Sequence, residues 1–315
     1  ENEIPVNDRQ EIDRWILSKL NTLIAEVTGH FDAYEPTKAV RCIEGFVVEH
    51  LSNWYVRLCR RRFWKGEYSQ DKIAAYQTLY RCIETVSMLA SPIAPFFAEN
   101  IYGDLNRVTN HRQFQSVHLG SFPLFCDSEV NKSLEEKMEF AQRITSMVFA
   151  LRKKVDIKVR QPLNKILIAV PEQSFVDKIE SVKAIILSEV NVKNLEFIED
   201  TGSLVQKKVK ANFKSLGPKY GPLMKQLAVA INNLNTNDIE RIERENALPL
   251  EIEGETITLT RDDVEILTQD IKGWQVANDG NLTVALDVTI NQQLKEEGIA
   301  RELVNRIQNI RKESN

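Results

Sequence analysis

The 315-residue sequence holds only four cysteines, Cys42, Cys59, Cys82 and Cys126, far apart and with no Cys-x-x-Cys pair. That excludes a disulfide framework or a structural zinc module and fits reduced thiols in a cytoplasmic protein. No apolar run approaches the roughly 18 residues needed to cross a bilayer. No secretory pattern opens the chain, so no membrane partner is expected. The four histidines, His30, His50, His111 and His118, accompany no Gly-rich phosphate loop, and no Ser/His/Asp set announces a nucleophile. Gly217-Pro218-Lys219-Tyr220-Gly221 lacks the Gly-Lys-Ser/Thr ending of a P-loop. His50 reads as a core or surface histidine rather than a base. No catalytic residue and no metal ligand is therefore assigned. A large excess of one charge is also missing: the formal net charge is −4 with 27% charged residues. Any contact with a polyanion must come from local clusters.

Against these absences, 43% of the residues are hydrophobic, enough for two or three cores. The most distinctive stretch runs from Leu51 to Lys65 and holds five cations, four aromatic rings and no acid. At 100° per residue, Trp54, Arg57, Arg60, Arg61, Trp64 and Lys65 share one face. Leu51, Tyr55, Val56, Leu58, Cys59 and Phe63 share the other. Guanidinium groups and indoles on one helix face suit a phosphate backbone with unpaired bases. A solvated basic face on a bundle helix is the plainer reading. Arg62 falls on the apolar arc, which predicts a buried ion pair, with Glu44, Glu49 or Glu84 as partner, or an early helix end.

Along the chain, Asn7-Asp8 with Glu11 reads as a helix start. Ile12, Trp15, Ile16, Leu20, Leu23, Ile24 and Val27 then repeat at helical spacing up to Gly29. Pro36 suits the first turn of a second helix running through the basic-aromatic stretch to Lys65 and Gly66. Ser69 caps a third helix, Ser91-Pro92 stops it, and a fourth starts at Pro92. Gly103, Asn106, Thr109 and Asn110 mark the loop leading out. These segments predict an antiparallel bundle of about four long helices over residues 1–125.

Asp127-Ser128 begins a further helix ending in Arg152-Lys153-Lys154, where cations suit the helix dipole as well as a phosphate. A strand over 166–170, a helix over 172–188 and a strand over 192–198 come next, giving a junction domain over 126–200. Residues 201–315 read as an α+β domain, truncated at its end. Within it, Lys207, Lys208, Lys210, Lys214, Lys219 and Lys225 fall in an acid-free segment punctuated by Gly217-Pro218 and Gly221-Pro222. Residues 235–265 reverse the sign, with ten acids against Arg241, Arg244 and Arg261. Two hairpins are expected, one turning at Gly254 and one at Asn278-Asp279-Gly280-Asn281. Finally, Phe140-Ala141-Gln142-Arg143-Ile144 through Leu151-Arg152-Lys153 echoes Ile299-Ala300-Arg301-Glu302-Leu303 through Ile310-Arg311-Lys312, at a constant offset of 159. It reads as a duplicated helix-strand unit whose second copy stops before its strand.

Four ordered motifs carry a resemblance. Asp13-Arg14-Trp15-Ile16-Leu17-Ser18, the segment Leu51-Ser52-Asn53-Trp54-Tyr55-Val56-Arg57-Leu58 with Arg60-Arg61-Arg62-Phe63-Trp64, Ser116-Val117-His118-Leu119 with Phe122-Pro123, and Ile157-Lys158-Val159-Arg160-Gln161-Pro162-Leu163 resemble the anticodon-binding part of the isoleucyl-tRNA synthetase family. Valyl- and leucyl-tRNA synthetases share such a bundle. The resemblance implies a multidomain chain, an all-α antiparallel helix bundle followed by an α+β C-terminal region. It also implies an isoleucine-accepting tRNA as partner, a monomeric cytoplasmic protein, and an upstream catalytic domain in the same chain. ATP and magnesium are implied for that full-length ligase and no cofactor for this part. The His-x-Gly-His and Lys-Met-Ser-Lys-Ser signatures of the catalytic domain are absent here, so this part alone is expected to be inactive. Some bacterial members end in a cysteine-ligated zinc module; the absence of cysteine after Cys126 places the chain nearer the zinc-free, longer-tailed branch. The expected tRNA-binding residues are Trp54, Arg57, Arg60, Arg61, Trp64 and Lys65, then Lys153, Lys154, Lys158 and Arg160. The Lys207 to Lys219 segment is a third candidate and equally a solvated surface. The competing function is a protein-protein interaction module with incidental RNA contact.

Overall fold

The apolar spacing after residue 11 becomes a single helix, α1 (Glu11–Asp32), which buries Trp15, Ile16, Leu20, Leu23, Ile24 and Val27. The computed structural model describes residues 3–64, 67–109, 114–169, 173–198, 205–252, 254–270, 273–280 and 282–314. The chain divides into two compact units, Glu1–Gln142 and Arg143–Asn315.

In the first unit, Asn7 and Asp8 lie in a short 3-10 turn, and α1 starts instead at Glu11, with Gln10 as an N-cap that makes no side-chain capping bond. Gly29 does not end α1, because the helix continues to Asp32 before Tyr34 takes a left-handed backbone (φ 57°). Pro36 occupies the first turn of α2 (Pro36–Gly45), as its fixed φ favours. The expected single helix to Lys65 changes its winding on the way. Phe46–Val56 forms a π-helix, followed by α3 (Arg60–Trp64). Lys65, Gly66 and His111 lie outside the described residues. Ser69 caps α4 (Gln70–Ala90), its side chain accepting from the Lys72 amide, and the helix stops at Ser91 ahead of Pro92. α5 (Pro95–Thr109) starts at Pro95, not Pro92, and absorbs Gly103 and Asn106 in place of the expected loop. The buried Asn106 amide donates back to the Tyr102 carbonyl, so this polar residue supports the helix. α6 (Lys132–Lys154) contains the boundary between the units.

The strands belong to the second unit. β1 (Leu163–Ala169), α7 (Gln173–Val190) and β2 (Val192–Ile198) form a parallel crossover in which Leu163 pairs with Val192. β3 (Val205–Ala211) leads to α8 (Phe213–Tyr220), α9 (Met224–Asn232) and α10 (Thr236–Glu245). Next come β4 (Leu248–Ile252), β5 (Glu255–Leu259), β6 (Val264–Asp270), β7 (Trp274–Asp279), β8 (Leu282–Asp287) and α11 (Gln292–Glu313). The main sheet has the order β2-β1-β8-β7, with β8 antiparallel to β1; β3 pairs with β6 and β4 with β5. Both expected hairpins form, with Gly254 and Gly280 supplying positive φ in their turns.

Two expectations are corrected by the sheet and by α8. A domain boundary at residue 200 would cut the main sheet, because β8 returns to hydrogen-bond with β1. Gly217-Pro218 is not a turn but lies inside α8, which Asn212 caps through the Lys214 amide. Leu216, Leu227, Ile231, Ile239, Ile242, Leu248, Ile257 and Leu259 fill a core of their own beneath β3 and the β4–β5 hairpin.

Candidate nucleic-acid interface

The basic-aromatic stretch lies where the helical winding changes, from a π-helix over Phe46–Val56 to α3. In a π-helix the backbone bonds close over five residues rather than four, so each residue advances by less than 100°. Trp54 is only 4% exposed, correcting the expectation that its indole faces solvent. Its Nε1 donates to nothing among the described residues. Trp64, beyond the π segment, is 70% exposed.

Arg57, Arg60 and Arg61 are exposed with Trp64. The Arg57 guanidinium lies 5.8 Å from the Trp54 ring centroid and the Arg60 guanidinium 5.8 Å from that of Trp64. These cation–π contacts pre-position two planar donors suited to phosphate oxygens or a base edge. Tyr68, 72% exposed with Lys72 5.6 Å from its ring, adds an aromatic that the helical-face argument missed because it lies past the helix end.

Beneath this surface, Arg62 points inward and binds both Asp13 oxygens, at 2.8 and 2.7 Å. It also donates to both oxygens of Asp71, at 3.0 and 2.8 Å. Tyr55 Oη donates to the same Asp13 at 2.6 Å. The buried ion pair expected of Arg62 is present; its partners are Asp13 and Asp71, not Glu44, Glu49 or Glu84. Burial opposes the Arg62 charge, yet the hydrogen bonds and attraction of Asp13 and Asp71 outweigh it and raise the pKa. Burial first, then Asp13, raises that of Tyr55. Burial also pushes the Cys59 thiol up to about 11 against the pull of Arg62, so Cys59 is an inert packing group. His50 packs edge-on against Trp15 and Phe46, and burial together with Lys19 lowers its pKa to about 4. A histidine so desolvated is a neutral core group at pH 7.

In the second unit, Lys153, Lys154, Lys158 and Arg160 are exposed around the end of α6. Arg152 organises their loop. It is fully buried and donates to the carbonyls of Lys158 (3.1 Å), Gln161 (3.0 Å), Val190 (2.8 Å) and Asn191 (3.1 Å). Its charge therefore answers the C-terminal dipole of α7 rather than that of its own helix, and desolvation lowers its pKa to about 10. Arg160 is partly engaged, 3.5 Å from Glu302. In the third candidate segment, Lys219 pairs with Asp263 at 3.3 Å while Lys210 and Lys214 are exposed; the side chains of Lys207 and Lys208 lie outside the described residues.

Residues 13–167 match the anticodon-binding domain of tRNA ligase. The chain is 52% identical over 314 residues to an isoleucine–tRNA ligase of Bacteroides thetaiotaomicron and 53% identical over 314 residues to one of Bacteroides fragilis. It is 38% identical over 303 residues to one of Clostridium tetani. These alignments cover 100%, 100% and 96% of this chain but 27%, 28% and 29% of those proteins. The chain thus spans little more than a quarter of their length.

Proposed function

This chain belongs to the isoleucine–tRNA ligase family, with its anticodon-binding domain at residues 13–167, and from that premise we propose that it grips the anticodon stem and loop of an isoleucine-accepting tRNA. The observation that carries this reading is the row Arg57, Arg60, Arg61 and Trp64, exposed on a segment locked from below by Arg62, Asp13 and Asp71. Guanidiniums take phosphate oxygens and base edges in pairs, and the open Trp64 ring offers a stacking surface to an unpaired base. Trp54 serves this surface from below, as the apolar platform on which Arg57 rests. Lys153, Lys154, Lys158 and Arg160 form a second basic contact set. The finer fold reading is an antiparallel bundle of the class I synthetase kind followed by an α+β region.

The whole protein is read as a monomeric, cytoplasmic isoleucine–tRNA ligase that joins isoleucine to its tRNA using ATP. Aminoacylation, ATP and magnesium belong to a catalytic part of the same polypeptide. Family membership favours this reading over a protein-protein module. Its test is binding of cognate tRNA to the Arg57→Ala/Arg61→Ala variant: affinity falls at least tenfold with the fold intact, and unchanged affinity would overturn it.

A further inference from the structure

Four carbonyls in a row, those of Lys158, Val159, Arg160 and Gln161, accept hydrogen bonds from two side chains outside their loop. Arg152 donates to the first and last, at 3.1 and 3.0 Å, and Asn191 Nδ2 to the two between, at 2.8 and 3.2 Å. The Gln161 amide closes the loop on the Lys158 carbonyl at 3.0 Å. A surface loop ordinarily leaves such acceptors to water and moves. This one is fixed at every residue, with the side chains of Lys158, Val159 and Arg160 turned to solvent.

Both holders are themselves held. Arg152 is 1% exposed and directs its other amino group to the carbonyls of Val190 and Asn191. Asn191 has a left-handed backbone (φ 53°), and its Oδ1 accepts from Arg301 of α11 at 2.9 Å, which in turn pairs with Glu297 at 2.7 Å. Gln161 Nε2 reaches the Leu294 carbonyl of α11 at 2.7 Å, and a Cβ on Gly298 would come within 2.2 Å of Gln161 Oε1. The last helix thus lies directly against the loop.

Residues 151–163 expose four cations, Lys153, Lys154, Lys158 and Arg160, with one exposed acid, Asp156, and no aromatic ring. Glu302 meets Arg160 at 3.5 Å with both side chains partly solvated, a contact that a phosphate oxygen replaces at little cost. The Arg57 row has the open Trp64 ring on which an unpaired base can stack; this loop has none. A double helix needs no ring, because its phosphates and 2′-hydroxyls are met by polar groups at fixed spacing.

We propose that the Lys158-Val159-Arg160 loop is a preorganised contact for paired RNA, a stem of the tRNA rather than its anticodon loop, with Arg152 and Asn191 as its positioning residues. It rests on the tRNA-binding reading above. Because the backbone is fixed before binding, its two cations are already placed when they meet the phosphates, and less freedom is lost on contact.

The test is titration of the protein with isoleucine-accepting tRNA transcripts carrying native and altered anticodon loops. Lys158→Ala/Arg160→Ala should weaken both transcripts alike, by about tenfold, and make the salt slope shallower by about 1.4–1.8. Asn191→Gly tests position, because glycine keeps the left-handed backbone while both bonds to the loop are lost. It removes no charge, yet should weaken both transcripts by about threefold, and adding Lys158→Ala/Arg160→Ala to it should then cost clearly less than in the parent. Unchanged affinity of Lys158→Ala/Arg160→Ala overturns the proposal, as does a loss confined to the native loop. Full additivity with Asn191→Gly overturns the positioning role. If Arg57→Ala/Arg61→Ala binds as the parent does while Lys158→Ala/Arg160→Ala still weakens both transcripts, the anticodon-row reading fails and this one stands.

Discussion

Arg62 and Asp13 meet in a bidentate pair, Nη1 to Oδ1 at 2.8 Å and Nη2 to Oδ2 at 2.7 Å, and this pair ties the basic-aromatic segment to α1. Asp13 is fully buried, and its carboxylate accepts from Arg62 and from the Tyr55 hydroxyl. Removing one partner of a buried pair leaves the other uncompensated, at a cost of about 3–5 kcal/mol.

Arg62→Ala should therefore lower unfolding free energy by about 3–5 kcal/mol, and Asp13→Asn with Arg62→Met together by clearly less. Urea unfolding of the two variants measures this. Equal losses would mean that the pair is not the source of the stability.

The two tryptophans should separate cleanly. Trp64→Ala should weaken tRNA binding by about 1–3 kcal/mol, the worth of one stacked base, with little change in unfolding midpoint. Trp54→Phe should keep most of the stability, because the indole N–H it deletes has no partner among the described residues, and should change RNA affinity less than Trp64→Ala does. Filter binding and urea midpoints on the same samples decide it.

Arg62 and Trp54 also mark how far the helical period could be read from residue spacing alone. The 100° period correctly turned Arg62 toward the core, where it binds Asp13. It failed for Trp54, which lies only about 40° from Leu58 on the helical wheel, at the edge of the apolar arc, where packing decides which side a large ring takes. The ion-pair partners were missed for a similar reason: Asp13 and Asp71 come from α1 and α4, and only packing brings them to Arg62. Gly254 and Gly280 made both hairpins legible, whereas the β3–β6 pairing joins a lysine-rich strand to a distant one with no turn between them. The return of β8 to β1 is likewise a pairing across more than a hundred residues, and a linear division at residue 200 could not foresee it.

His50 should make stability pH-dependent. Its folded pKa is lowered to about 4 from 6.5, so the unfolded chain binds the extra proton first as pH falls. Stability is lost between about pH 6.5 and 4, by on the order of 3 kcal/mol, and the penalty is constant below that range. His50→Phe should flatten this interval relative to the parent. Parallel pH curves for the two proteins would show that His50 is not the group responsible.

Salt reports on the arginine row. Each phosphate neutralised contributes about −0.7 to −0.9 to the slope of log affinity against log salt. Arg57→Ala/Arg61→Ala should make the tRNA slope shallower by about 1.4–1.8. A flat response in the parent would point to a protein partner instead.

The central claim, that this chain reads an anticodon arm, is tested most directly by titrating it with isoleucine-accepting tRNA transcripts carrying native and altered anticodon loops, at one salt concentration. The account predicts that altering the loop weakens binding at least tenfold and that Arg57→Ala/Arg61→Ala removes most of the difference. Equal affinity for every transcript would contradict it and leave the surface a general electrostatic one.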